Sequence, residues 1–223
     1  MKNALLKLFL VALTVSSCAT ARFYAGFTPE AARQEMVLLG PVSNLYYLDR
    51  DHRESFSDSL STASEELVAG LVSELGVPVS GRLELDAGQK EDAVAFMRHL
   101  LSQEPKLRSV IAIPSSLDGA LEAQGCRYGL LLFAEGMTRD TKGYVKEAAA
   151  GLLLGLATAI LTMGAVSVYS TPEAYESQVF AAVLDAQDDR VVFYNMSRPQ
   201  ERHPLRPGHV RRQLSSVLKD FLK

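Results

Sequence analysis

Three groups of side chains in this chain are of types that could do chemistry, and their spacing narrows what each could do. Asp185, Asp188 and Asp189 cluster in Asp185-Ala186-Gln187-Asp188-Asp189-Arg190, between two apolar runs. Carboxylates so placed could form a general acid–base pair, but turn chemistry already accounts for aspartates there. His52 lies among Asp49, Asp51 and Glu54, which are hard-cation ligand types. The turn glycine of a calcium loop is missing, so a solvated charged loop is the expectation. His99 is expected on an exposed helix face beside Arg98. His203 and His209 flank prolines in a connector, with no cysteine or acidic ligands around them. Ser216-Val217-Leu218-Lys219 has the spacing of a serine–lysine pair but lacks the companion motifs. Phosphate-cradling glycine loops, G-x-S-x-G and H-E-x-x-H do not occur in the sequence. The survey therefore predicts no catalytic residue, no metal ligand and no cofactor.

One further side chain stands apart. Lys2 and Lys7 give a positive start, Leu8 to Val15 is a short apolar run, and Val15-Ser16-Ser17-Cys18 closes it. The run is too short to cross a hydrocarbon core of about 30 Å. It reads as a cleavable export signal over residues 1–17. The last four residues resemble the lipobox of bacterial lipoproteins. That resemblance implies a diacylglyceryl thioether on the Cys18 sulfur, cleavage before Cys18 and acylation of the new amino terminus. Ala19, where an aspartate would stand in retained lipoproteins, implies sorting to the outer membrane, facing the periplasm, by analogy with enteric lipoproteins.

Residues 18–223 number 206, a length that suits one domain. Apolar residues make up 48% and charged residues 22%, an ordinary globular balance with material for a real core. The signal holds two of the 23 basic residues, leaving 21 against 26 acidic, a net charge of −5. That balance argues against nucleic acid or an anionic membrane surface as the main partner. With Cys18 committed to lipid, Cys126 has no partner and is expected to be a buried small hydrophobe.

The elements that must position these residues follow from periodicity. Residues 18–35 are expected to be a lipidated tether, and 36–223 a single domain. Met36 to Leu39 reads as a strand broken at Gly40-Pro41 and resumed through Val42 to Leu48. Leu60, Ala63, Leu67, Val68, Leu71, Val72 and Leu75 form one helical stripe, started by Asp58 or a neighbouring serine and stopped by Gly76 and Pro78. Val79 to Leu85 alternates as a strand does, and Glu91 to Gln103 is helical. Leu107 to Ile113 is β-branched and strand-like, and a short helix to Gln124 is capped by Ser115 or Ser116. Tyr128 to Ala134 is a continuous apolar run, expected in the interior of a sheet. Val179 to Leu184 and Val191 to Met196 form a hairpin. Pro207 opens a closing helix with Val210, Leu214, Val217, Leu218 and Phe221 on one face. The order predicts an α/β (α+β) fold with a mixed sheet of about five to six strands and packed helices.

Residues 148–168 carry no charge, and Gly151, Gly155 and Ala159 recur four apart. Small residues so spaced let another backbone approach. The segment is expected as an apolar helix, and three settings compete: burial against the sheet, membrane insertion, or a surface docking a partner or lipid. Leu154 and Ile160 are the side chains on which these settings differ most. A single spanning helix would divide the strands between the two sides of the membrane, which weighs against insertion.

Ala123-Gln124-Gly125-Cys126-Arg127-Tyr128-Gly129-Leu130-Leu131-Leu132-Phe133 and the hairpin Val183 to Phe193 are similar to segments of the periplasmic domains of the curli secretion lipoprotein and of the lipoprotein activators of penicillin-binding proteins. The resemblance implies binding of an envelope protein or self-association, without catalysis. Two alternatives accompany it: a membrane-inserting subunit of a secretion or transport complex acting through residues 148–168, and an envelope hydrolase.

Overall fold

Tyr128–Arg139 (β5) is the central strand, with a long strand at either edge, and it is buried on both faces from Tyr128 to Ala134. Met36–Leu48 (β2) runs parallel to it and Tyr175–Asp185 (β6) antiparallel. A parallel neighbour requires a crossover. Three helices supply it: Asp58–Glu74 (α2), Ala87–Ser102 (α3) and Ser115–Ala123 (α4). The computed structural model describes residues 22–24, 26–33, 35–49, 53–139 and 175–222. Arg22–Phe23 (β1), Glu54–Phe56 (β3), Arg82–Leu83 (β4) and Arg190–Met196 (β7) complete a seven-stranded mixed sheet, ordered β1-β7-β6-β5-β2-β3 with β4 also on β2. The short helix Pro29–Ala32 (α1) and Pro207–Val217 (α5) complete the helices among the described residues.

The alternation of β5 and β6 sorts the core into two layers. Leu130, Leu132, Ala181 and Val183 meet Val68, Leu71 and Val72 of α2 and Val210, Leu214 and Val217 of α5. Leu131, Phe133, Phe180 and Leu184 meet Ala93, Phe96, Met97 and Leu100 of α3 and Leu117 and Leu121 of α4. A helix pair thus covers each face of the sheet. Full burial of each such side chain contributes about 1.5–3 kcal/mol.

Several elements differ from the sequence reading, each for a local reason. Gly40-Pro41 does not break β2 but forms a bulge: Leu39 pairs Leu131 and Val42 pairs Phe133, so two residues oppose one. Pro41 has no N–H for a ladder, and a bulge is where a strand tolerates it. Gly40 is also where β4 comes closest, since a Cβ there would sit 3.2 Å from the Leu83 carbonyl oxygen. Of Val79 to Leu85, only Arg82 and Leu83 pair as a strand, before Asp86 starts α3. That helix begins four residues before the expected Glu91 because Asp86 and Gln89 form a reciprocal capping box, with N–H···O distances of 2.9 and 3.0 Å.

Leu107 to Ile113 contains a 3₁₀ turn, Arg108–Val110, and not a strand. The buried Arg108 guanidinium donates to the carbonyls of Leu100 (2.9 Å) and Leu101 at the end of α3, and stacks 4.3 Å from the Tyr194 ring. Capping those carbonyls overrides β propensity. In α2, Ser57 is the cap, but Ala63 is exposed while Ser61 and Ser64 are buried against β2. Pro114, not Ser115 or Ser116, caps α4, and the Ser116 hydroxyl donates to Asp92 instead. Cys126 is only partly buried.

Part of the stretch expected as a tether, residues 18–35, is built into the domain. Arg22 and Phe23 pair with Tyr194 and Phe193, and Phe27 is buried among Tyr128 and Phe221 with ring centroids 5.6 and 6.4 Å away. Aromatic burial draws this stretch into the domain. Cys18 and residues 148–168, with Gly151, Leu154, Gly155, Ala159 and Ile160, lie outside the described residues. Thr138 and Tyr175 are register partners, so the chain leaves β5 and enters β6 at the same end of the sheet.

At that end Gly136 lies opposite Ser177, where a Cβ would fall on the Glu176 carbonyl oxygen. Gly136→Ala is expected to cost about 2–4 kcal/mol, because backbone blocks the added methyl. Gly70, exposed within α2 with open space around its Cα, should gain up to about 1 kcal/mol as alanine. Urea denaturation of the two variants checks both signs.

Candidate functional site

The outer edge of β2 is covered by β4 at Leu38–Leu39 and by β3 at Tyr46–Leu48, and between them no strand among the described residues pairs with it. The backbone donors there would be orphaned, a costly state under a helix. Side chains of α2 take them instead. Glu65 accepts from the Ser43 N–H at 3.2 Å and Ser61 from the Leu45 N–H at 3.0 Å, while the Ser43 and Ser64 hydroxyls lie 2.9 Å apart. The other Glu65 oxygen accepts from Lys90 Nζ of α3 at 2.6 Å. One carboxylate therefore ties α2, β2 and α3 together.

Above this floor, α2 and α3 stand apart and leave a cleft of about 510 Å³. The bulge at Gly40-Pro41 decides what lines it. Strict alternation from Val37 and Leu39 would turn residues 41, 43 and 45 toward α3, but the inserted residue turns Val42, Asn44 and Tyr46 there. Tyr46 Oη accepts from Arg98 at 2.8 Å and from Asn44 Nδ2 at 3.2 Å, and Arg98 lies 4.0 Å from Glu135. The half-exposed Phe56 meets Tyr46 edge to face at 6.2 Å. Two aromatic rings, an arginine and an apolar wall with Val94 are the side-chain types that anchor protein interfaces. The arrangement offers hydrogen bonds and aromatic contact. Among the described residues, no three His, Cys, Asp or Glu side chains are gathered to hold a metal ion.

The residues singled out from the sequence fall elsewhere. Asp185 is buried at 2% exposure and forms a two-pronged pair with Arg127, at 3.0 and 2.9 Å. The hydrogen bond to Asp185 raises the proton affinity of that guanidinium, so it stays charged. Asp189 adopts φ +46° and accepts from the Ile113 N–H at 3.0 Å, and Asp188 pairs with Arg190 at the surface. Only part of the turn reading holds, because Asp185 is an interior anchor. His99 is exposed, as expected. His209 is buried within α5, not in the connector, with Nε2 3.0 Å from Ser177 Oγ. Burial, then Arg212, Arg202 and Arg206, push its pKa below the ordinary imidazole value. His203 accepts from the Leu205 N–H, and burial lowers its pKa too. Ser216 and Lys219 are exposed, and His52 lies outside the described residues. Asn44, Tyr46, Glu65, Lys90 and Arg98 were missed. A faint signal existed, since Lys90, Val94 and Arg98 recur four apart on one face of α3.

Asp185→Asn should cost about 2–4 kcal/mol, because it leaves Arg127 facing a neutral amide in a buried corner, reduced by the partial exposure of Arg127. Asp188→Asn should stay within about 0.5 kcal/mol. Denaturant midpoints of the two variants at neutral pH compare them directly.

No known protein family matches this chain, and no curated protein sequence does. Solved structures similar to it include two PelC dodecamers from Paraburkholderia phytofirmans. One, a point variant, is 10% identical with a TM-score of 0.41, covering 91% of this chain and 98% of that one. The other is 14% identical with a TM-score of 0.41, covering 90% and 96%. The LpoB C-terminal domain from Salmonella enterica is similar at 10% identity and a TM-score of 0.33, covering 80% of this chain and 87% of that one.

Proposed function

We propose that this protein is a lipid-anchored component of a bacterial cell envelope, held at the outer membrane and facing the periplasm, that binds a protein partner and performs no catalysis. The observation that carries the binding reading is the cleft between α2 and α3, where Tyr46, Phe56 and Arg98 stand together at the mouth. Its floor is already satisfied internally by Glu65, Ser61 and Lys90, so a docking segment desolvates few unpaired groups. Several side chains with catalytic potential are engaged in structure: Asp185 holds Arg127, Asp189 holds the backbone of Ile113, and Ser177 with His209 is buried. A serine–histidine pair needs access to substrate and a third group to orient the imidazole. Ser177 is buried, and His209 Nδ1 has no hydrogen-bond partner among the described residues.

The membrane-inserting alternative is narrowed by strand pairing. One bilayer crossing between Arg139 and Tyr175 would separate β5 from β6 and break their register from Tyr128 to Thr138. Insertion through residues 148–168 would therefore have to enter and return on one side. A partner or second copy meeting Gly151, Leu154, Gly155, Ala159 or Ile160 remains compatible with that pairing.

Two measurements test the reading. Cys18→Ala should abolish incorporation of a clickable palmitate, and undiminished label would defeat the lipid anchor. Phe56→Ala and Arg98→Glu should each lose crosslinks to the partner in native membranes, at least tenfold for a central interface residue, while keeping the wild-type circular dichroism melt. Unchanged crosslinking would remove the cleft from the binding function.

A further inference from the structure

The cations of this acidic protein are unevenly distributed. Arg82, Lys90, Arg127, Arg190 and Arg211 each face a carboxylate within 3 Å, in Glu84, Glu65, Asp185, Asp188 and Glu74. Among the described residues, Arg198, Arg202, Arg206, Arg212 and Lys219 have no such partner, and they gather along the connector after β7 and the exposed side of α5. Four of them line a groove of about 540 Å³ with Gln213, and Arg202, Arg206 and Arg212 continue it past the start of α5. Glu176 and Glu201 line only the neighbouring hollow, beside Arg202.

The local choices are unfavourable for an isolated helix. Arg206 occupies the N-cap of α5 without a capping side-chain bond, and the first turn has no acidic residue. Cations at the positive end of a helix dipole cost stability unless an anion covers them. A sequence that breaks a local rule without internal compensation marks a functional surface. The arginines also lie close enough to His209 to oppose its protonation.

The chain direction says what faces this groove. β1 is antiparallel to β7, with Arg22 opposite Tyr194 and Phe23 opposite Phe193. Followed backwards, β1 therefore heads toward Met196, which lines the groove. Three residues separate Cys18 from Arg22, so the four steps between them span at most about 14 Å when fully extended. We propose that the groove of Arg198, Arg202, Arg206, Arg212 and Lys219 is the face this protein lays against the anionic phospholipid headgroups of the membrane that holds its Cys18 lipid. The orientation rests on the lipid-anchor reading above, whereas the headgroup surface rests on the groove. Guanidinium groups pair with phosphodiester oxygens through paired N–H donors, and basic side chains near a bilayer add to the hold of an acyl chain. The net charge of the whole chain conceals this surface, because no acid lines the groove itself.

The test uses residues 18–223 with Cys18→Ala, so that binding reads the protein surface without its acyl chains and without the basic, apolar signal of residues 1–17. In cosedimentation at about 0.1 M salt, it should prefer vesicles with about one third phosphatidylglycerol over pure phosphatidylcholine, and lose the preference in high salt. Each juxtamembrane arginine is worth roughly fivefold. Adding Arg198→Ala, Arg202→Ala and Arg212→Ala should therefore weaken binding at least twentyfold, while the three lysine replacements keep it within about fivefold. Replacing the exposed Arg53 and Lys106, outside the groove, should change nothing. Equal binding to both vesicles, or equal loss with alanine and lysine, overturns the proposal. Full competition by inorganic phosphate at low millimolar concentration would assign the groove to a soluble phosphate and also overturns it. Arginine-dependent vesicle binding, with a native chain that takes up no palmitate, supports the headgroup surface and defeats only the anchor.

Discussion

The pairing of β2 with β5, parallel and interrupted once at Gly40-Pro41, is the constraint on which the rest depends. It commits the chain to a crossover, which places α2 and α3 on opposite faces of the sheet. It also adds one residue to β2, so that the second half of the strand presents Asn44 and Tyr46 to α3 and Ser43 and Leu45 to α2. Without the extra residue those side chains would exchange faces. The polar floor of the cleft and its aromatic mouth are therefore consequences of a proline that cannot join a ladder.

The same part of β2 shows how an exposed strand edge is managed without another strand. Glu65 and Ser61 donate no backbone, yet each accepts a backbone N–H that a neighbouring strand would have taken. A charge-assisted bond of this kind contributes more than a surface ion pair, about 1.5–3 kcal/mol against 0–1. Lys90 is thus secondary to the backbone contact in holding Glu65. The arrangement blocks edge-to-edge association along residues 42–45 while leaving the side chains above free to meet a partner.

Charge is arranged on a second principle. At the β6–β7 hairpin, opposite charges are paired and partly buried, and they shape the turn: Asp185 fixes Arg127, and Asp189 in a left-handed conformation reaches the loop before α4. Along the connector after β7, Arg198, Arg202 and Arg206 are exposed, with Glu201 as the acid among them. The first arrangement stabilises the fold. The second does not, and an anionic surface outside would offset its cost.

Much of this was legible in the chain. The continuous apolar run of β5 required cover on both faces, the spacing of Val68, Leu71 and Val72 required a helix, and Gly76 with Pro78 required it to end. Pro207 marked the first turn of α5, and two apolar runs around an aspartate-rich stretch made a hairpin. These are local or periodic signals, readable from neighbours a few positions away. What the tertiary structure alone decided depends on residues far apart in sequence. Arg108 suppresses a strand because it reaches the last carbonyls of α3 and the ring of Tyr194. Asp185 is an anchor and not a turn residue alone because Arg127, just before β5, reaches it. Phe27 leaves the tether because Phe221 and Tyr128 wait for it. The groove of arginines exists because α5 folds back beside its own connector. Periodicity states which face of an element is apolar; which distant side chain meets it is set by the packing of the whole.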